Sequence, residues 1–195
     1  MKQLSALSNY HVTGLFGNFK NKEENELIKI SELKNKSIFQ VVRFNNSKTL
    51  VNEMKIYNLS FPEEKLEVKQ DNETRILWMG PNNWLVISDN KNLITEMKLF
   101  FSEENFAITN LSHSRAMIEI EGTNAKEVLK KGCPFNFNKF TKNNCTNSIF
   151  HGITITIDMI SEEPEKIRIL ALRSFGGSLH HAITDACLEN GYKAI

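Results

Sequence analysis

A chain of 195 residues suits one domain or two small, closely packed ones, and a fold of this size buries roughly 70% of its unfolded surface. Hydrophobic residues make up 41% and charged residues 24%, the balance of a globular protein, and 24 basic against 23 acidic side chains leave a net charge of +1. Near-neutrality excludes the one-signed field of a nucleic-acid-binding module or of a protein drawn to an anionic membrane.

Residues 1–10 are polar and carry no leader-like apolar core. No run approaches the roughly 20 apolar residues that span a bilayer. Three scattered cysteines, Cys133, Cys145 and Cys187, form no CxxC pair, which argues against a disulfide framework and a zinc site. The expectation is a cytoplasmic protein that meets neither nucleic acid nor membrane.

In chain order, residues 1–25 show no sustained period and read as an extended arm. Its Leu4, Leu7, Tyr10, Leu15, Phe16 and Phe19 have no core of their own, so the arm is expected to grip a partner, bending at Gly14 and Gly17. Strands are expected at residues 27–30 and 38–44. Leu50, Val51, Met54 and Tyr57 share one helical face, which predicts a helix over 48–58 with Ser47 as cap. Residues 59–73, with Pro62 and seven charges, read as a loop. Residues 75–88 then carry two apolar runs around Gly80-Pro81-Asn82-Asn83, a hairpin with a four-residue turn. A helix over 91–101 follows.

The second half predicts strands at 106–111 and 115–121 and a helix opened by Gly122-Thr123-Asn124-Ala125 and running through Lys131, stopped by Gly132 and Pro134. A loop spans 135–147. A long strand over 148–159 puts Ile149, His151, Ile153, Ile155 and Ile157 on one face. A turn at 161–165, a strand at 167–172 and a final helix over 175–188, ended by Asn190-Gly191, complete the chain. Each half reads strand, strand, helix, strand, strand, helix. This predicts an α+β fold of two interlocked ferredoxin-like halves, mainly antiparallel sheet with helices on one face. The boundaries are an arm 1–25, a first half 26–104 and a second half 105–195, packed as one compact unit.

Side chains that could carry chemistry are scattered. His11, His113, His151, His180 and His181 match no metal-ligand spacing, and the adjacent pair 180/181 points about 100° apart on a helix. Ser112 and His113 would diverge across a strand, which defeats proton transfer between them; with Arg115 they read better as an interface or ligand-lining patch. Cys133, at a helix C-terminus, is disfavoured as a thiolate. Phe175-Gly176-Gly177-Ser178 opens a helix but matches no phosphate loop. Trp78 and Trp84 flank the hairpin turn as core packing or as aromatic interface anchors.

Several segments, taken in order, resemble the gamma subunit family of heterotetrameric sarcosine oxidases. They are Leu4-Ser5-Ala6-Leu7, the hairpin Leu77-Trp78-Met79-Gly80-Pro81-Asn82-Asn83-Trp84-Leu85, Leu111-Ser112-His113-Ser114-Arg115, Gly132-Cys133-Pro134-Phe135, and Arg173-Ser174-Phe175. Residues 118–129 are also similar to the glycine-cleavage T-protein superfamily, which binds tetrahydrofolate. Two positions depart from the family pattern: Asn82-Asn83 stands where an acidic residue usually follows Gly-Pro, and Asn110 where Asp usually precedes Leu-Ser-His. The resemblance implies an accessory subunit with no complete active site, joined to alpha, beta and delta subunits. It implies an assembly that oxidises sarcosine to glycine, makes hydrogen peroxide and passes the one-carbon unit to tetrahydrofolate. FAD, FMN, NAD and tetrahydrofolate are expected on the partner subunits and no cofactor or metal on this chain. Leu4, Leu7, Tyr10, Phe16, Trp78, Trp84, His113, Arg115 and Arg173 are the candidate partner-contact residues. The competing readings are an independent tetrahydrofolate-binding one-carbon transferase and a regulatory domain that binds a small metabolite.

Overall fold

The computed structural model describes residues 4–195. In chain order its first strands are β1 (Gly14–Phe16), β2 (Ile28–Glu32), β3 (Ser37–Arg43), the short β4 (Lys55–Ile56) and β5 (Leu59–Ser60), β6 (Val68–Gln70), β7 (Thr74–Gly80) and β8 (Asn83–Ser88). Helix α1 (Leu93–Phe100) leads to β9 (Phe106–Asn110), β10 (Arg115–Glu121) and helix α2 (Ala125–Lys130). The chain closes with β11 (Cys145–Phe150), β12 (Ile153–Glu162), β13 (Glu165–Leu172), helix α3 (Gly176–Cys187) and β14 (Tyr192–Ala194). The class is α+β. No helix among the described residues is long and apolar enough to cross a membrane.

The described residues divide into two compact units, the first made of residues 4–34, 114–142 and 147–195, the second of 35–113 and 143–146. The sheet of the first unit runs β1-β14-β2-β10-β13-β12-β11. β14 and β2 are parallel, whereas β10 is antiparallel to both β2 and β13. Alternation decides which face is buried. Ile30, Ile120, Ile167 and Met159 form one cross-strand row, and Ile118, Ile169 and Ile157 the next. All seven are buried in one core with Leu179, Ile183 and Cys187 of α3 and Val128 and Leu129 of α2. Leu179, Ile183 and Cys187 recur every four residues, the spacing that gives α3 its apolar stripe. Each such side chain contributes about 1.5–3 kcal/mol by leaving water.

The second unit holds the antiparallel sheet β6-β7-β8-β3-β9. Phe39, Val41, Ile76, Trp84 and Val86 share its inner face, covered by Leu93 and Met97 of α1. Phe61, Phe101 and Phe106 complete this core with edge-to-face contacts: Phe61 lies 5.4 Å from Trp84, and Phe101 lies 5.0 Å from Phe106.

Several expectations need correction. The helix over 48–58 is not formed. A 3₁₀ turn at Val51–Glu53 runs into β4, and Met54 and Ile56 are buried while Lys55 between them is exposed. The period of two wins, and Tyr57, at φ 53, turns the chain into β5. The loop over 59–73 therefore contains β5 and β6. The hairpin turn is two residues, Pro81-Asn82, with Asn82 at φ 57 and a register shift between Trp78 and Gly80. The long strand 148–159 is two strands. His151 (φ 46) and Gly152 (φ 82) turn the chain between β11 and β12, so Ile149 is exposed while Ile155 and Ile157 are buried.

The unit boundaries also differ from 26–104 and 105–195. β2 pairs with β10 and β14, which ties residues before 35 to the late strands, and β9 pairs with β3, which ties 106–110 to the early ones. Nor are residues 4–25 an arm detached from a core. Leu7 is fully buried in the core of the first unit, and β1 pairs with β14.

Candidate functional site

The first unit carries a cleft built by its first described residues. Residues 7–11 make one turn, with the amides of Tyr10 and His11 both donating to the Leu7 carbonyl at 2.9 Å. Glu32, at the end of β2, fixes this turn. Its carboxylate accepts from the Ser5 hydroxyl and, at 3.1 Å, from the Leu7 amide, with Lys34 3.5 Å away. Arg173 donates through Nη2 to the Leu4 carbonyl at 2.5 Å. The segment is thus held by its backbone and by Leu7, while Leu4, Tyr10 and Val12 stay 73%, 57% and 66% exposed.

Behind it lies a cleft of about 260 Å3. Phe16 and Tyr192 stack at 5.1 Å on one side of it, and Tyr10, Val12, His180, His181 and Thr184 line the rest. Two glycines set the geometry. A Cβ on Gly177 would fall 2.6 Å from the Tyr10 ring, and one on Gly17, at φ 70, would fall 2.5 Å from the Leu188 carbonyl oxygen. The first lets the Tyr10 ring lie on α3; the second lets the segment after β1 run against the end of that helix.

One of the lining imidazoles, His180, is paired with His11. His11 Nε2 lies 2.9 Å from the Ile195 carbonyl oxygen, and His11 Nδ1 lies 3.1 Å from His180 Nε2. A carbonyl only accepts, so His11 Nε2 carries a proton; in the neutral ring its Nδ1 accepts, and His180 Nε2 donates. His180 is held below the ordinary imidazole pKa, first by burial and then by His11, with His181 acting in the same sense and Glu32 opposing. Burial likewise pushes the Tyr192 phenol up, partly offset by its hydrogen bond with Thr184.

The structure brings four candidate contact residues together here: Leu4, Tyr10, Phe16 and Arg173. Arg115 belongs to the same unit, half-buried, its Nη1 3.4 Å from the Ser114 carbonyl oxygen; burial lowers its pKa. Leu7 and Trp84 are corrections, because both are core residues and offer no surface to a partner. Trp84 is 1% exposed and donates its indole N–H to the Pro62 carbonyl at 2.8 Å. Trp78 is half-buried opposite it, and His113 is exposed; these three lie in the second unit. Ser112 is a turn residue whose hydroxyl accepts from the Ile38 amide at 2.9 Å. Its role is structural. His11, His180 and Val12 were missed as residues of this site. No local spacing marks them, since His11 and His180 are 169 positions apart.

The model of the sarcosine oxidase gamma subunit family matches residues 54–189. The chain belongs to that family. Two curated gamma subunits agree. The sarcosine oxidase subunit gamma of Corynebacterium sp. strain U-96 is 28% identical over 119 residues, covering 60% of this chain and 57% of that one. Its counterpart from strain P-1 is 34% identical over 62 residues, covering 31% and 30%. The chain thus matches little more than half the length of the first relative and under a third of the second. Among solved structures, a chain of the heterotetrameric sarcosine oxidase from Corynebacterium sp. U-96, in complex with pyrrole 2-carboxylate, superposes with a TM-score of 0.79 at 20% identity, over 97% of both chains. The glycine cleavage system aminomethyltransferase T from Bartonella henselae superposes at 0.56 with 10% identity, over 82% of this chain and 46% of that one. Both likenesses are of fold. The aminomethyltransferase likeness accords with the relation of fold expected from the sequence.

Proposed function

We propose that the chain is the accessory gamma subunit of a heterotetrameric sarcosine oxidase, joined to alpha, beta and delta subunits, with FAD, FMN and NAD on the large alpha and beta subunits. The assembly oxidises sarcosine with oxygen to glycine and hydrogen peroxide. The methyl carbon leaves as methylenetetrahydrofolate when tetrahydrofolate is present and as formaldehyde, released with water consumed, when it is not. FAD, FMN, NAD and tetrahydrofolate sit on the partner subunits, the assembly works in the cytoplasm, and the contribution of this chain is structural. The observation that carries this reading is the family match over residues 54–189, and the superposition along the whole chain supports it. The side chains support it as well: His180, which lines the cleft, is engaged with His11 rather than with a nucleophile.

The test is co-expression with alpha, beta and delta subunits from the same source, with and without this chain. The expected result is a co-purifying complex that releases hydrogen peroxide from sarcosine, and loss of yield or activity when the chain is omitted. A complete, fully active complex without it overturns the reading. Stoichiometric binding of tetrahydrofolate to the isolated chain, seen by calorimetry, would favour a one-carbon transferase instead.

A further inference from the structure

We infer that residues 8–13 are a strap along the cleft, latched to α3 by the His11–His180 pair, and that the latch opens once both imidazoles are protonated. The strap is tethered at both ends. On one side Leu7 is fully buried and its amide donates to Glu32 at 3.1 Å; on the other, β1 pairs with β14 from Gly14 onward. Between these anchors Ser8, Asn9, Tyr10, Val12 and Thr13 are exposed, and His11 alone is half-buried. The amides of Ser8, Tyr10 and His11 bond to Ser5 and Leu7, within the same stretch of chain, so the His11 ring is what ties the strap to α3 and to Ile195. Tyr10 and Val12 line the cleft, and the Tyr10 ring lies on Gly177 of α3. Release of the latch therefore moves two walls of the cleft while the ends of the strap stay fixed. The device works within this chain alone, whatever subunits join it.

Counting protons shows why the latch has two states. In the neutral pair His180 Nε2–H donates to His11 Nδ1, and His11 Nε2–H donates to the Ile195 oxygen. A first proton keeps the latch closed: on His180 Nδ1 it leaves the bond between the rings in place and makes it charge-assisted. A second proton finds only His11 Nδ1, the atom that accepts in that bond. Both facing nitrogens then carry hydrogen, the bond is lost, and two cations stand with those nitrogens 3.1 Å apart. The bond that remains goes to Ile195, a residue itself 53% exposed, and does not hold the ring against α3.

The surrounding groups do not offset two charges. Glu32, from β2, favours a protonated His180, but its carboxylate is committed to Ser5 and Leu7, with Lys34 3.5 Å away. On α3, His181 opposes protonation, and Asp185 is exposed, five positions on and so about 140° round the helix. The strap and β14 contribute the phenols of Tyr10 and Tyr192, the latter bonded to Thr184, while Lys193 is engaged with Glu24 at 2.7 Å. Arg173, just before α3, is a further cation, held by the Leu4 carbonyl. Burial of His180 works in the same direction, keeping it below the ordinary imidazole pKa. The closed strap thus binds fewer protons than the open one, and opening sets in as pH falls below the ordinary imidazole range.

The experiment is hydrogen–deuterium exchange of the full chain at about pH 7.5 and about pH 5, with exchange times scaled for the intrinsic pH dependence of the chemistry. Peptides over 8–13 report the strap through the Tyr10 and His11 amides, and peptides of β10 and β13 report the core. His11→Gln and His180→Gln remove one proton acceptor each; His181→Gln, at an exposed position, is the control. In wild type and His181→Gln the strap should exchange about tenfold or more faster at the lower pH while β10 and β13 stay protected. In His11→Gln and His180→Gln its scaled rate should be the same at both. A wild-type strap indifferent to pH overturns the latch. Equal acceleration in both glutamine variants overturns its assignment to the pair. Protection lost only together with β10 and β13 overturns a local opening. Thermal unfolding checks that the variants fold. Should they not, nuclear magnetic resonance titration of the wild-type rings decides: the latch requires His11 and His180 to titrate in two coupled steps, the second accompanying the faster exchange, and two independent single-step curves overturn it.

Discussion

Trp84→Phe should destabilise the second unit by about 2–4 kcal/mol. Two losses add. The indole N–H that donates to the Pro62 carbonyl at 2.8 Å disappears, and a buried acceptor without its donor costs about 1–3 kcal/mol. The smaller ring leaves on the order of 40 Å3 unfilled against Phe61 and the β3 face, about 1 kcal/mol at about 24 cal/mol per Å3. The measurement is urea unfolding followed by circular dichroism, with Trp78→Phe as the companion variant. Trp78 is half-buried, and its replacement should cost less than about 1 kcal/mol. A Trp84→Phe variant as stable as wild type would refute the placement of this ring in a packed core.

Gly17→Ala should be severely destabilising, by more than about 2 kcal/mol in the same titration, because φ 70 is unfavourable for alanine and its Cβ would meet the Leu188 backbone rather than a movable side chain. Asn82→Asp should stabilise by about 0.5 kcal/mol at low salt, and less at high salt. Arg43 Nη1 already donates to Asn82 Oδ1 at 3.0 Å, and a carboxylate there would add charge while tolerating the same φ. Stability should fall as pH drops below about 6.5. The folded His180 binds its proton less readily than the unfolded one, so its contribution is complete above the ordinary imidazole pKa and is lost as pH falls toward the lowered one. Unfolding midpoints between pH 5 and 8 should flatten in His180→Gln.

What the sequence disclosed follows from where local physics is strong. β7 and β8 were legible because two β-rich runs enclose a Pro-Asn turn, and α3 because Leu179, Ile183 and Cys187 repeat at helical spacing. The helix over 48–58 failed because Leu50, Val51, Met54 and Tyr57 fit a helical face in the sequence, yet the positions that find a core are Met54 and Ile56, two residues apart, while Leu50 and Tyr57 stay exposed. His151-Gly152 was passed over because isoleucines alternate on both sides of it. β1 and β14 are three residues each, too short for a period to show. They exist because each finds a partner from the opposite end of the chain. The cleft has the same origin. Glu32, His11, His180 and Arg173 converge only once β2, β14 and α3 are in place, and no local motif announces a site assembled over 169 positions.

The exposed apolar set was half legible. Leu4 and Tyr10 stood out because they lack a period, yet the same argument swept in Leu7, which packs at the centre of the first core. A residue two or three positions from an outward-facing one can be the anchor that holds it, and composition alone does not separate the two.

Native mass spectrometry of the complex purified through a tagged alpha subunit tests the central claim most directly. The account predicts a heterotetramer in which this 22.4 kDa chain is present in one copy and is released intact on denaturation. A complex of full activity that never contains the chain, alongside a free pool of it in the same cells, would contradict it.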